Sequence, residues 1–207
     1  GGPGGARASG GGGLPLARVV ALGRRARWSD THRPAAVPDW SGKINGFAFS
    51  AFQRYQSPLE DTYPSVEDLE RDVRVLAGHA SSVRTYASGE SPAIPRLAMQ
   101  YGLRVTQGAW LDRRLENNDL ELRSLIGLVR AFPNIDRVVV GNEAVLRSDL
   151  TAEQLIPYLD RAREALDVPV STAEPWHVWL KYPQLAAHVD YIAVHLLPYW
   201  EGIPRRT

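Results

Sequence analysis

The sequence contains no cysteine. That excludes disulfides, zinc–thiolate centres and thiol catalysis. No uninterrupted apolar stretch approaches ~18 residues, so no segment reads as a membrane-spanning helix. Neither sign of charge dominates: 24 basic residues face 23 acidic ones, a formal net of +1. No His/Asp/Glu cluster has the spacing of metal ligands, so no metal site is expected. No G-x-G-x-x-G or Walker pattern follows any predicted strand, which weakens a nucleotide-binding reading. What remains is a chain of 207 residues with 44% hydrophobic content. That is enough for one folded domain with a real core, and too apolar for a wholly disordered chain.

The near-zero charge conceals two unlike parts. Residues 1–40 hold six arginines against Asp30 and Asp39, a net of +4, and the remainder carries a net of −3. Eight of the first thirteen residues are glycine. The expectation is a flexible Gly/Arg-rich tail or linker over 1–40 and a folded body over 41–207. The apolar run from Leu14 to Leu22 precedes Arg24, Arg25 and Arg27. A secretory signal has the opposite order. A basic stretch bordering a membrane or an anionic partner is the sharper reading of the same residues.

From Ile44 onward, short β-rich runs alternate with helical patterns. Strands are expected near 44–49, 82–86, 103–108, 137–141, 168–172 and 191–194. Ser65 with Asp68 marks one helix start, and Thr151 with Gln154 forms a capping box at another. Leu122, Leu125, Ile126, Val129 and Phe132 lie at helical spacing and end at Pro133. Short helices are expected near 94–101 and 183–187. Val138, Val139 and Val140 form a continuous apolar run, which suits a strand buried on both faces. Strict alternation implies a parallel sheet with right-handed crossovers. An open doubly wound sheet and a (β/α)8 TIM barrel both fit.

In a barrel the chemistry lies at the C-terminal strand ends. Those ends carry Ser50, Phe52 and Gln53; Arg84 and Tyr86; Gln107 and Trp110; Asn142 and Glu143; Glu174, Trp176 and His177; and His195, followed by Tyr199, Trp200 and Glu201. Four tryptophans, Trp110, Trp176, Trp179 and Trp200, fall just after strands. Aromatic faces flanked by hydrogen-bonding groups suit a sugar, whose C–H faces stack while its hydroxyls need partners. Simple rim packing is the alternative for any one tryptophan. Glu143 follows the buried valine run, where desolvation would favour its neutral form, as a general acid requires. A structural glutamate bonded to backbone is the competing account.

Val140-Gly141-Asn142-Glu143-Ala144-Val145-Leu146-Arg147 resembles the strand-4 motif of glycoside hydrolase family 17, the β-1,3-glucanases. Val83-Arg84-Thr85-Tyr86 is similar to that family's strand-2 segment, and His195-Leu196-Leu197-Pro198-Tyr199-Trp200 to its strand-6 segment. Thr172 to Trp179 looks more like bacterial members, some of which are joined to membrane-bound glycan synthases. The resemblance spans roughly 44–200. It implies a (β/α)8 barrel of the glycoside-hydrolase clan, with about six units here, and retaining cleavage or transfer of β-1,3-glucan. Glu143 would be the acid/base. Asn142, Arg84, Tyr86, Trp110, Glu174, Trp176, His195, Tyr199 and Trp200 would bind substrate, with Arg84 also able to pair with a catalytic carboxylate. No metal or organic cofactor is implied. The expected partner is a β-glucan and no nucleic acid, with fusion to a membrane glycosyltransferase in the full protein, placing it outside the cytoplasm or at a membrane. The family's nucleophile ends strand 7, in a motif absent from this sequence. This polypeptide alone is therefore expected to be inactive, and a glucan-binding module that serves a glycan synthase is the alternative.

Overall fold

Ser65 accepts a hydrogen bond from the Asp68 amide and opens helix α1, Val66–His79, which buries Leu69 and Val73. Thr151 and Gln154 complete the capping box of α4, Ala152–Ala165, by exchanging side-chain and backbone bonds. Between them lie α2, Ile94–Gln100, and α3, Leu115–Ala131, whose inward stripe includes Leu122 and Leu125. The structure is a computed structural model that describes residues 42–198 and 200–202. Ser41–Leu197 form one compact unit, and Pro198 and residues 200–202 belong to a second. The expected tail at 1–40 and Tyr199 lie outside the described residues.

Six strands alternate with these helices: β1 Phe47–Ala48, β2 Ser82–Arg84, β3 Arg104–Ala109, β4 Ile135–Asn142, β5 Val170–Pro175 and β6 Ala193–His195. Every pairing is parallel, and the sheet order is β1-β2-β3-β4-β5-β6. A doubly wound sheet reverses its order at a switch point. This sheet advances without reversal, so the fold is that of a (β/α)8 barrel, with six strands among the described residues. Val138, Val139 and Val140 are buried on both faces of β4, as their run predicts. Leu122, Leu125, Leu155 and Leu159 are buried beneath the helices. Each such side chain contributes about 1.5–3 kcal/mol by leaving water. Among the described residues no helix is long and apolar enough to cross a membrane.

Three elements differ from expectation. The first strand is short: only Phe47–Ala48 form a ladder, and Ile44 makes an isolated bridge with Ala80. The segment near 183–187 is a 3₁₀ helix, Pro183–His188. The third difference bears on the site. β5 continues past Thr172 to Pro175, and Trp176–Lys181 form a helix, α5, for which no element was expected.

Candidate active site

The end of β4 is bent by its own backbone. Gly141 has φ +84° and Glu143 φ +54°, both in the left-handed region. The β4–β5 register shifts between Val139 and Asn142. A Cβ on Gly141 would lie 3.2 Å from Leu155 Cδ1 and 3.3 Å from Thr172 Oγ1. Glycine satisfies both demands, the dihedral and the space. Glu143, with a side chain, holds its unusual φ because neighbours fix it. Its amide donates to Ala173 O at 2.7 Å, and its own carbonyl accepts from the Arg147 amide at 2.8 Å.

The Glu143 side chain meets β6. Glu143 Oε1 lies 2.6 Å from His195 Nδ1, with the two side chains 25% and 21% exposed. The pair is thus sheltered but reachable. A proton fits between them in either direction. Imidazole carrying hydrogen on Nδ1 donates to the carboxylate, and a protonated Glu143 donates to bare Nδ1.

Asn142 is held on two sides. Arg84 Nη2 donates to its Oδ1 at 2.7 Å, and Arg147 Nη1 donates to its backbone carbonyl. The first bond sets the orientation of the amide and keeps the Nδ2 hydrogens available for another acceptor. Arg84 therefore bonds the neighbour of Glu143 rather than Glu143 itself. Burial pulls its guanidinium below the ordinary value, and the charges of Tyr86, Tyr191 and Glu143 oppose that shift. Arg84 Cζ also lies 4.6 Å from the Tyr86 ring centroid, so one face of that ring is covered.

Trp110 is covered in the same way, with Arg147 Cζ 4.2 Å from its ring centroid. It also lines a cleft of about 450 Å³ with Tyr63, Glu90 and Glu121. Trp176 begins α5, is 39% exposed and meets His177 edge to face. Trp179 is a core residue whose indole donates to Ala193 O at 3.1 Å, tying α5 to β6. Trp200 is exposed in the second unit. Gln107 is fully buried, and its Nε2 donates to Ala87 O and Ser88 Oγ.

Glu174 corrects the sequence reading. Assigned to sugar contact, it has 0% exposure. The extended β5 carries its side chain inward, where Oε1 accepts from the Val145 amide at 2.9 Å and Oε2 from the Leu146 amide at 3.3 Å. Burial pushes its carboxyl up to about 7; the two amides and Arg147 pull it down, and Glu143 adds to the rise. A group without accessible surface cannot touch a sugar hydroxyl.

Sequence reasoning gave no role to two residues that organise the site. Arg147 donates to Asn142 O and Leu111 O, pairs with Asp149 at 2.8 Å and stacks on Trp110. Its signal was its place in the quoted motif, four residues after Glu143. Glu121 accepts from the Ser88, Gly89 and Trp110 amides, binding the loops after β2 and β3 to α3. Nothing in the local sequence marks it. Among the described residues no group of three or more His, Asp or Glu could hold a metal ion.

Comparison with known proteins bears on the family and the fold. The family model of the BtgE/BtgC glycoside hydrolase domain matches residues 46–206. A glucan 1,3-beta-glucosidase of Schizosaccharomyces pombe is 27% identical, over 69% of this chain and 49% of that protein. A glucan 1,3-beta-glucosidase of Saccharomyces cerevisiae is 24% identical, over 85% of this chain and 63% of that protein. The chain thus spans about half to two thirds of the length of these relatives. An active-site mutant of Rhizomucor miehei beta-1,3-glucanosyltransferase, solved in complex with laminaritriose, superposes with a TM-score of 0.65 at 24% identity. That match covers 77% of this chain and 59% of the other, and it establishes the shared fold.

Proposed function

Because the chain belongs to the family of BtgE/BtgC glycoside hydrolase domains, a β-1,3-glucanase-like group, we propose that it acts on β-1,3-glucan with Glu143 as the acid/base. The observation that carries this reading is the Glu143–His195 pair at the end of β4, sheltered yet reachable. Glu143 protonates the glycosidic oxygen as the bond breaks. His195 then holds the resulting carboxylate through Nδ1–H, keeping it oriented to take a proton from the incoming acceptor. Water as acceptor gives hydrolysis, and a sugar hydroxyl gives transfer. Asn142 offers its Nδ2 hydrogens to a hydroxyl beside the scissile bond. Tyr86 and Trp110 each offer the ring face that arginine leaves uncovered, and the exposed Trp176 offers a further ring.

A retaining reaction needs a second carboxylate ~5–5.5 Å from the first. Glu174 is turned inward and occupied by two amides. Glu174 is therefore not the nucleophile, and this reading calls for another carboxylate. The same observation favours a second reading, a chain that holds glucan without cutting it. Laminari-oligosaccharide cleavage by the intact protein and by E143Q tests both. The acid/base reading expects kcat/KM to fall about 10²- to 10⁴-fold in E143Q, with oligosaccharide affinity retained. Undiminished turnover in E143Q overturns it. Binding without product in the intact wild-type protein selects the second reading.

A further inference from the structure

Among the described residues, Glu174 is the charged side chain with 0% exposure. A buried carboxylate is expensive, and an apolar side chain would fill the same space without that cost. Its hydrogen bonds show what it does. Oε1 and Oε2 grip the amides of Val145 and Leu146, two and three residues after Glu143. The preceding residue on β5, Ala173, accepts from the amide of Glu143 itself. Two successive residues of one strand thus hold the Glu143 turn from both sides.

We propose that Glu174 is a positioning residue for Glu143, a buried clamp on the turn that carries it, closed when the carboxylate is ionised and loosened when it is protonated. The role rests on Glu143 being the acid/base. An ionised carboxylate presents two acceptor oxygens to the two amides. A protonated one turns a hydroxyl toward one of them, so that bond is lost or weakened. The left-handed φ of Glu143 depends on such surrounding contacts, and releasing one lets the turn relax. The charged groups that face Glu174 come from the turn: Glu143 and Arg147. Behind them stand His195 of β6, on Glu143, and Asp149, on Arg147. Burial and Glu143 favour the protonated form while Arg147 and the amides favour the ionised one, and the balance falls at about 7. The clamp therefore changes state near neutrality.

Two measurements test this. The first follows the backbone amide signals of Val145 and Leu146 in the ¹⁵N-labelled chain from pH 5 to 9. Both are expected to titrate together with a midpoint near 7, and E174Q is expected to abolish that titration. Signals that stay flat in the wild type, or titrate unchanged in E174Q, overturn the clamp. The second measures laminari-oligosaccharide cleavage by the intact protein. E174Q is expected to lower kcat about 10- to 100-fold, to leave KM within about twofold, and to remove the pH limb near neutrality. A wild-type kcat and pH profile in E174Q overturn the positioning role. If E174Q does not fold, the wild-type amide titration decides alone. If E143Q retains turnover, the acid/base reading fails while the amide titration still judges the clamp.

Discussion

Glu174 makes the stability of this chain depend on pH in an unusual direction. Its carboxyl titrates at about 7 in the folded state, against an ordinary 4.5. Between those values the unfolded chain has released the proton and the native chain still holds it. The native state then binds more protons, so stability falls as pH rises through that window and levels off above 7. A displacement of that size corresponds to about 3 kcal/mol at roughly 1.36 kcal/mol for each pH unit. The perturbation is E174Q, which cannot titrate and keeps nearly the same shape. All other ionisable groups are shared by the two proteins, so the difference in unfolding free energy isolates this one. Urea unfolding at pH steps from 4 to 8 measures it. The stability of E174Q relative to wild type is expected to rise by about 3 kcal/mol across that range. Its value at pH 4 is small, because a protonated glutamic acid and a glutamine present similar groups to the two amides. A difference that stays flat across the range, or that falls, refutes the reasoning.

Two further substitutions probe the frame around Glu143. Gly141→Ala places a Cβ against Leu155 and Thr172 at a left-handed φ and is expected to cost about 1–3 kcal/mol, read as a lowered Tm. Arg147→Ala removes the ties to Asn142 O and Leu111 O and the stack on Trp110. It is expected to destabilise by about 2–4 kcal/mol and to change the Trp110 emission, with Arg147→Lys restoring little because lysine cannot fork to both carbonyls.

Much of the fold is legible in the residues. Alternating apolar runs and helical stripes place all six strands, and Ser65, Thr151 and Gln154 mark their helix starts. Asn142 and Glu143 are legible because a polar pair one glycine after three apolar valines marks a strand end. Glu174 misleads for a physical reason. A carboxylate followed by proline looks like a loop, and the amides that make its burial tolerable belong to Val145 and Leu146, about thirty residues earlier. With those partners, β5 continues through Glu174 to Pro175, and Trp176 starts α5. The aromatic residues show the same limit. Position alone marks Tyr86 and Trp110 as strand-end aromatics and does not say what covers their rings. In the structure each has an arginine over one face, and for Trp110 that arginine lies far along the chain.

The bonds around Glu143 are distributed in a way that explains why the site needs a sheet. Asn142 is tied through its side chain to Arg84 of β2 and through its carbonyl to Arg147. Glu143 is tied through its amide to β5 and through its carboxyl to β6. Val145 and Leu146 are tied to β5 through Glu174. Three strands separate in sequence thus fix one short turn, and none of them alone would hold a glutamate at a left-handed φ. Each tie comes from a residue between Arg84 and His195. The geometry of Glu143, the proposed acid/base, is therefore set within that stretch. Amide titration therefore reports on the frame around Glu143 directly, and turnover reports on the proposed acid/base role that the frame would serve.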